Sequence, residues 1–106
     1  MQIQVNTDNH IHGSAGLAQQ IEELLVGKLK HFSPRITRLE VHLSDESSSV
    51  KSSDDDKRCL IEARLMGMDP VSVSDRSGSV LQAAQGATKK LQSLLESMIG
   101  KLEDRR

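Results

Sequence analysis

Residues 35–44 read RITRLEVHLS, and within this run Leu39, Val41 and Leu43 alternate with the polar residues Arg38, Glu40 and His42. This alternation is the period of a β-strand with one buried face, and its polar side chains should lie in solvent. Two further runs alternate in the same way, at residues 58–66 and 71–73, on either side of a turn at residues 67–70 that contains Pro70. Three such runs close together predict an antiparallel meander of strands.

Apolar residues on both sides of this meander recur with the period of a helix. One helix is predicted from Ser14, as its N-cap, to Phe32, and a longer one from Ser77 or Ser79 to Glu103. The chain opens with one more alternating run, QIQVN. We therefore predict an α+β fold of order β-α-β-β-β-α, with a four-stranded sheet and both helices on one face. A strand after residue 100 would indicate the rival order β-α-β-β-α-β.

The length of the chain limits the number of domains, and the distribution of its charges indicates a loop. With 106 residues it is long enough for one domain, residues 1–106, and too short for a large active-site cavity. Residues 45–56 contain five acidic residues and one lysine, so the net charge of this segment is −4. Because the net charge of the whole chain is −1, the other residues together carry a charge of +3. The acidic, serine-rich segment 45–57 has little apolar area to bury, which predicts a mobile loop.

Composition also excludes several classes of protein. Phe32 is the only residue among Phe, Tyr and Trp, which excludes a surface that stacks bases on exposed rings. The chain has no nucleophile elbow or glycine-rich phosphate loop, so we expect no enzyme, no catalytic residues and no cofactor. His10 and His12 have the spacing of two metal ligands, but a metal would need a further donor such as Asp8, His31 or His42, and we expect no metal site. The lone Cys59 and the lack of a signal peptide or membrane-spanning run predict a cytoplasmic protein without a membrane partner.

The order of the elements resembles that of double-stranded-RNA-binding domains. More specifically, the run RITRLEVHLS after a helix, and the later run VLQAA leading to KKLQ at residues 89–92, resemble the ribosome hibernation promoting factor family. This family is also called the ribosome-associated inhibitor or sigma-factor modulation protein family. The resemblance spans almost the whole chain. It implies a short, single-domain member, since long members add a C-terminal dimerisation domain.

The resemblance implies a function on the ribosome. Members bind the small ribosomal subunit near the decoding region and block translation in stationary phase or under stress, so the implied partner is small-subunit rRNA and not DNA. The family's RNA surface is a set of basic residues along the second helix. On this chain the implied RNA-binding residues are the bases of the two helices, Lys28, Lys30, Lys89, Lys90, Lys101 and Arg105.

The positions of two lysines and one glycine in the second helix limit which of its sides can contact a partner. Lys89 and Lys90 are adjacent, so their side chains leave the helix about 100° apart and at most one of them faces a flat partner squarely. Gly86 lies inside the helical pattern, where glycine costs about 1 kcal/mol relative to alanine. We expect Gly86 to permit a close approach of another element.

The chain departs from the family's pattern at residues 92–98, which read QSLLESM and contain no base. Losing phosphate contacts weakens RNA binding strongly at physiological salt. Two hypotheses therefore stay open: an rRNA-binding translation regulator, and a protein-interaction module that kept the fold and lost RNA binding. The second would use an apolar edge of the second helix for a homodimer or another partner, formed by Leu95, Met98, Ile99 and Leu102. Convergence of the bases into one patch would favour the first.

Overall fold

A computed structural model of the protein describes residues 1–8, 15–46 and 56–104, with side chains at 1–8, 16–46 and 56–100. The elements are β1 Gln2–Thr7, α1 Ala15–Lys28, a 3-10 helix Lys30–Arg35, β2 Ile36–Asp45, β3 Lys57–Leu65, β4 Val71–Ser77 and α2 Val80–Asp104. The predicted α+β order is confirmed, and α2 occupies the described residues after position 100, where the rival order would need a strand. None of the helices in these ranges has the length and hydrophobicity needed to cross a membrane.

The four strands form one mixed sheet in the order β1-β2-β3-β4. β1 runs parallel to β2, with Ile3 opposite Leu39 and Val5 opposite Val41. The parallel pairing follows from α1, because a helix between two neighbouring strands carries the chain back to the end of the sheet where it began. β2, β3 and β4 are antiparallel neighbours, which confirms the predicted meander.

Both helices pack on one face of the sheet, over its alternating apolar side chains. Leu25 of α1 and Leu91 of α2 are fully buried and share one core with Leu39 and Ile61 of the sheet. α2 lies mainly over β3 and β4, and α1 lies against α2 and near β1. Burying a leucine or isoleucine side chain contributes about 1.5–3 kcal/mol, so the spacing of these residues decides which faces meet.

The first helix ends earlier than predicted. α1 stops at Lys28, and after Leu29 the six residues Lys30–Arg35 form a separate 3-10 helix that buries Phe32. The N–H of Phe32 donates to the carbonyl oxygen of Leu29 at 2.9 Å, a bond across three residues instead of four. Pro34 has no N–H with which to continue an α-helix. The apolar spacing indicated one long helix because the tighter turn still directs Phe32 into the core.

The turn between β3 and β4 lies where it was predicted, but the strand after it is longer. Gly67 has a φ of +72°, a left-handed conformation that a residue without a Cβ adopts at little cost. β4 continues past Val73 to Ser77, which lies opposite Lys57 of β3. Its last four residues, SDRS, have weak strand propensity, and pairing with β3 overrides that propensity.

The two ends of the predicted mobile loop belong to strands. Asp45 and Lys57 lie opposite each other in the β2–β3 pairing. The Lys57 ammonium lies 3.3 Å from the Asp45 carboxylate and 2.8 Å from that of Asp56. The hydrogen bond to Asp56, followed by the one to Asp45, raises the pKa of Lys57. The N–H of Glu46 donates to the carbonyl oxygen of Asp56 at 2.7 Å, while residues 47–55 and the predicted N-cap Ser14 lie outside the described residues.

Candidate nucleic-acid interface

α1 and α2 lie against each other and leave a groove that is open to solvent. Its volume is about 440 Å³. Lys28 at the end of α1 and Lys89 in the middle of α2 both line this groove, although they are 61 residues apart in the sequence. We call it the interhelical groove, and its lining residues are Leu24, Lys28, Gln85, Thr88, Lys89 and Gln92.

The two lysines of the interhelical groove carry uncompensated charge. Both are exposed, and neither forms an ion pair with any residue that the structure describes. Gln85 and Gln92 precede and follow Lys89 by four and three residues, so they lie on the same helix face and place amide donors beside it. Two positive charges with amide donors between helices suit the phosphate groups of a nucleic-acid backbone.

Lys90 is held by β4 and does not share the groove. Its ammonium donates to the carbonyl oxygen of Ser74 at 2.9 Å and lies 3.1 Å from the Asp75 carboxylate. A Cβ at Gly86 would overlap that carboxylate, so the glycine is what lets Asp75 approach α2. The expectation that Gly86 permits a close helix–sheet approach is confirmed. Lys90 therefore lies outside the interhelical groove with its charge already paired, although Lys89 and Lys90 both border a shallow depression beside Asp75.

The remaining predicted RNA-binding residues lie away from the groove or beyond the described side chains. Lys30 is exposed in the 3-10 helix, past the end of α1 and not in its last turn as predicted. Lys101 belongs to α2, but its side chain is outside the described residues, and Arg105 follows the last of them. The fold brings Lys28 and Lys89 together and directs Lys90 towards β4.

The apolar edge of α2, the partner surface of the second hypothesis, is buried at two of its four residues. Leu95 is fully buried and Ile99 is 7% exposed, both within the core, and Met98 packs against that core. The side chain of Leu102 is outside the described residues. The expected exposure is wrong for Leu95 and Ile99, because α2 lies over the sheet and also against α1, so it buries a wide stripe and not a narrow seam. A homodimer through this edge would therefore gain little contact area from Leu95 and Ile99.

Sequence reasoning found both lysines of the groove but not their surroundings. Gln85 and Gln92 were overlooked because neutral amides are common on exposed helix faces. The spacing of residues 85, 89 and 92 was the available signal, since it places three polar side chains on one face of α2. This spacing could not show that α1 is the neighbouring helix, because the sequence does not indicate that Leu24 and Lys28 lie beside that face of α2.

Cys59 is a core residue, as its place on a strand predicts. It is fully buried on β3. Burial, with a smaller effect of the Asp75 charge, raises the pKa of the Cys59 thiol to about 12. The nucleophilic thiolate is therefore scarcely populated near neutral pH.

A sequence profile of the sigma 54 modulation protein / S30EA ribosomal protein family matches residues 3–103. Because the match covers nearly the whole chain, the protein belongs to this family. The family consists of ribosome-associated regulatory proteins that are not enzymes, which confirms the predicted family and the predicted lack of enzymatic activity.

Two solved structures have a similar fold. The N-terminal domain of Protein Y from Thermus thermophilus matches with a TM-score of 0.70 and 17% identity, over 92% of this chain and 99% of that one. A ribosomal subunit interface protein from Coxiella burnetii matches with a TM-score of 0.69 and 16% identity, over 94% of this chain and 99% of that one. No match was found among curated protein sequences.

Proposed function

We propose that this protein binds the small ribosomal subunit, with its two-helix face against rRNA phosphates, and inhibits translation under stress or in stationary phase. Family membership supports the ribosome as the partner, and with it a cytoplasmic location. A protein of similar fold is a ribosomal subunit interface protein, which is consistent with this partner. The observation that carries the RNA-binding part is the uncompensated pair Lys28 and Lys89 in the interhelical groove.

Recognition in this proposal depends on phosphates and on the shape of the RNA. A lysine ammonium binds phosphate as a point charge, and its binding releases counterions condensed on the nucleic acid. Phe32 is buried in the core, so it offers no ring on which a base could stack. Lys30, which is exposed in the 3-10 helix, would add a further phosphate contact, and Lys101 and Arg105 stay candidate contacts from the sequence.

Lys90 has a smaller role in this proposal than its neighbour. Its ammonium is already paired with the Asp75 carboxylate and with a backbone carbonyl group. A phosphate group would have to compete with both partners, so less free energy is gained than at an unpaired lysine. Lys90 thus provides a matched control for Lys89, because the two residues share a helix turn and a side-chain type.

Cosedimentation with small ribosomal subunits over a range of salt concentrations tests the proposal. Each lost phosphate contact should flatten the log-log dependence of affinity on salt by roughly 0.7 to 0.9. We expect the double variant K28A/K89A to lose about two contacts, and K90A to lose less than one. All three lysines lie outside the core, so the thermal transition should stay unchanged and separate lost contacts from lost structure.

The wild-type protein provides the decisive control at low salt, where phosphate attraction is strongest. If the folded protein fails to cosediment there, the ribosome proposal is wrong for this chain. Inhibition is tested separately in a cell-free translation reaction, which the wild type should slow and K28A/K89A should slow less at equal concentration. A double variant that inhibits as strongly as the wild type would contradict the role of the groove.

A further inference from the structure

The face of the sheet opposite the helices brings three metal-ligating side chains together. Glu40 and His42 are two residues apart on β2, so their side chains leave the strand on the same face. Glu62 on β3 lies directly opposite Glu40 in the strand register. One carboxylate oxygen from each glutamate and one ring nitrogen of His42 all lie within 4.8 Å of one another.

The ring nitrogen of His42 lies between the two carboxylates without a hydrogen bond. Its Nε2 atom is 3.7 Å from Oε2 of Glu40 and 3.7 Å from Oε1 of Glu62. Although the His42 side chain is 40% exposed, this nitrogen is shielded from solvent and has no hydrogen-bond partner in the described structure. A shielded polar atom without a partner is costly, and two carboxylates directly opposite across a strand pair repel each other. A cation between the three groups would relieve both costs.

Glu40 is held in an orientation suited to binding a cation. Nε of Arg38 donates to its Oε1 atom at 2.9 Å, which leaves Oε2 facing His42. This hydrogen bond is the largest cause that holds the pKa of Glu40 below its ordinary value, with smaller contributions from the charges of Arg38, Arg64 and His42. Carboxylates that bind metals are commonly oriented by such a hydrogen bond to their other oxygen.

We propose that Glu40, His42 and Glu62 form a binding site for a divalent transition-metal ion, with Zn²⁺ as the best-suited ion. An imidazole nitrogen with two carboxylates is a donor set that zinc accepts, and water would take the fourth position. The nitrogen disfavours Mg²⁺ and Ca²⁺, which prefer oxygen ligands throughout. The proposed metal site lies on the face of the sheet opposite the interhelical groove, so a test of metal binding does not depend on the proposed RNA binding.

The observed distances are close to those that a zinc ion requires. With bonds of about 2.0–2.1 Å, a nitrogen and an oxygen ligand on one tetrahedral zinc ion lie about 3.3 Å apart. Glu62 is exposed, so small rotations of its side chain can shorten the 3.7 Å separations. Arg38 and Arg64 offset the charge of the two glutamates, so we expect weaker binding than in a structural zinc site with four protein ligands.

Calorimetric titration with zinc chloride tests the site in a protein that keeps only one histidine. The chain has four histidines, and replacing His10, His12 and His31 with glutamine removes the other imidazole groups. In this background we expect one Zn²⁺ per chain, and at least about tenfold weaker binding when H42Q or E62Q is added. E96Q, which neutralises an exposed glutamate on α2, is the matched control and should leave binding unchanged.

Two results would overturn the proposal. One is a folded background protein that binds no Zn²⁺ at millimolar concentration, and the other is H42Q binding as tightly as its parent. A second measurement follows the imidazole nitrogens of His42 by NMR during the zinc titration. We expect the Nε2 signal to shift as zinc is added, and a signal that does not shift would mean that His42 binds no metal ion.

Discussion

The open face of the sheet and the interhelical groove both carry charged side chains, but among the described residues only the open face pairs a base with an acid. On the sheet, Arg38 pairs with Glu40, and His42 lies between two glutamates. In the groove, Lys28 and Lys89 have no acidic partner among the residues with described side chains. A polyanion gains more from an unpaired cation, because no internal partner has to be displaced. In a chain of net charge −1, the pairing of the bases therefore indicates a binding surface better than their number does.

The interhelical groove exists only if α2 packs on the core in the observed orientation. Truncating Leu95 tests this packing. Leu95 is fully buried. Leu95→Ala should lower the free energy of unfolding by about 2–5 kcal/mol, because it removes buried methyl groups and leaves a cavity. Denaturant unfolding measures this, with Met66→Ala as the control, since Met66 is 64% exposed. A variant with nearly wild-type stability would mean that Leu95 faces a surface after all.

Comparing one base from each face tests the contrast directly. Lys89→Ala should flatten the salt dependence of ribosome cosedimentation by roughly 0.7 to 0.9 in log-log slope, because it removes one phosphate contact. Arg64→Ala removes an exposed base from the opposite face and should change that slope little. An equal decrease in slope for Lys89→Ala and Arg64→Ala would show that both faces of the protein contact RNA. The proposed difference between the two faces would then be wrong.

Releasing Lys90 from its partner should convert a paired cation into a free one. Asp75→Asn removes the carboxylate that lies 3.1 Å from the Lys90 ammonium. We expect a steeper salt dependence of cosedimentation, by up to roughly 0.7 to 0.9 in slope, and no such change when Lys90→Ala is also present. An unaltered slope in Asp75→Asn would indicate that Lys90 points away from the RNA whether or not it is paired.

Gly86→Ala should release Lys90 by a second route. The added Cβ overlaps the Asp75 carboxylate, which must swing away from α2. The helix gains about 1 kcal/mol of propensity and loses the Asp75 contact, so the net stability change should be small. Agreement of its cosedimentation slope with that of Asp75→Asn is the measurement. Disagreement between the two variants would mean that the glycine has another role.

The smallest effect expected is the pH dependence contributed by Glu40. Because its pKa is lowered in the folded state, the contribution to stability is present above the ordinary pKa of a glutamate and is lost as pH falls through the folded value. Glu40→Gln should therefore unfold with a weaker dependence on pH in the acidic range. The carboxylate is near the surface, where solvent screens its charge, so the difference should be modest. If the free energy of unfolding of the wild type and of Glu40→Gln depended equally on pH in the acidic range, the lowered pKa of Glu40 would be contradicted.

Much of the fold was predictable because strand and helix periods are local. Leu39 and Ile61 lie in the core at the positions that alternation indicates, and β2 differs from its predicted bounds by one residue at each end. The errors occurred where a longer-range effect decided the outcome. β4 extends to Ser77 because β3 pairs with it, and the end of α1 at Lys28 is hidden by a 3-10 helix that preserves the apolar spacing.

The candidate sites were less predictable than the fold, since each is assembled across elements. Sequence could name Lys28 and Lys89 as bases of the two helices but could not bring them into one groove. It gave no reason to join Glu62 with Glu40 and His42, because their meeting requires the register of β2 against β3. It also placed Leu95 on an exposed edge, because helical spacing alone does not say how many neighbours a helix has.

The sequence by itself determined the order of the elements, the apolar faces that form the core and the family to which the resemblance pointed. These depend on periodicities within one element and on composition, which a chain carries locally. Only the tertiary structure decided which charges are paired, as for Lys90 with Asp75, and which have no partner among the described side chains, as in the interhelical groove. The physical reason is that an ion pair or a groove depends on distances across the fold, and helix packing and strand register set those distances.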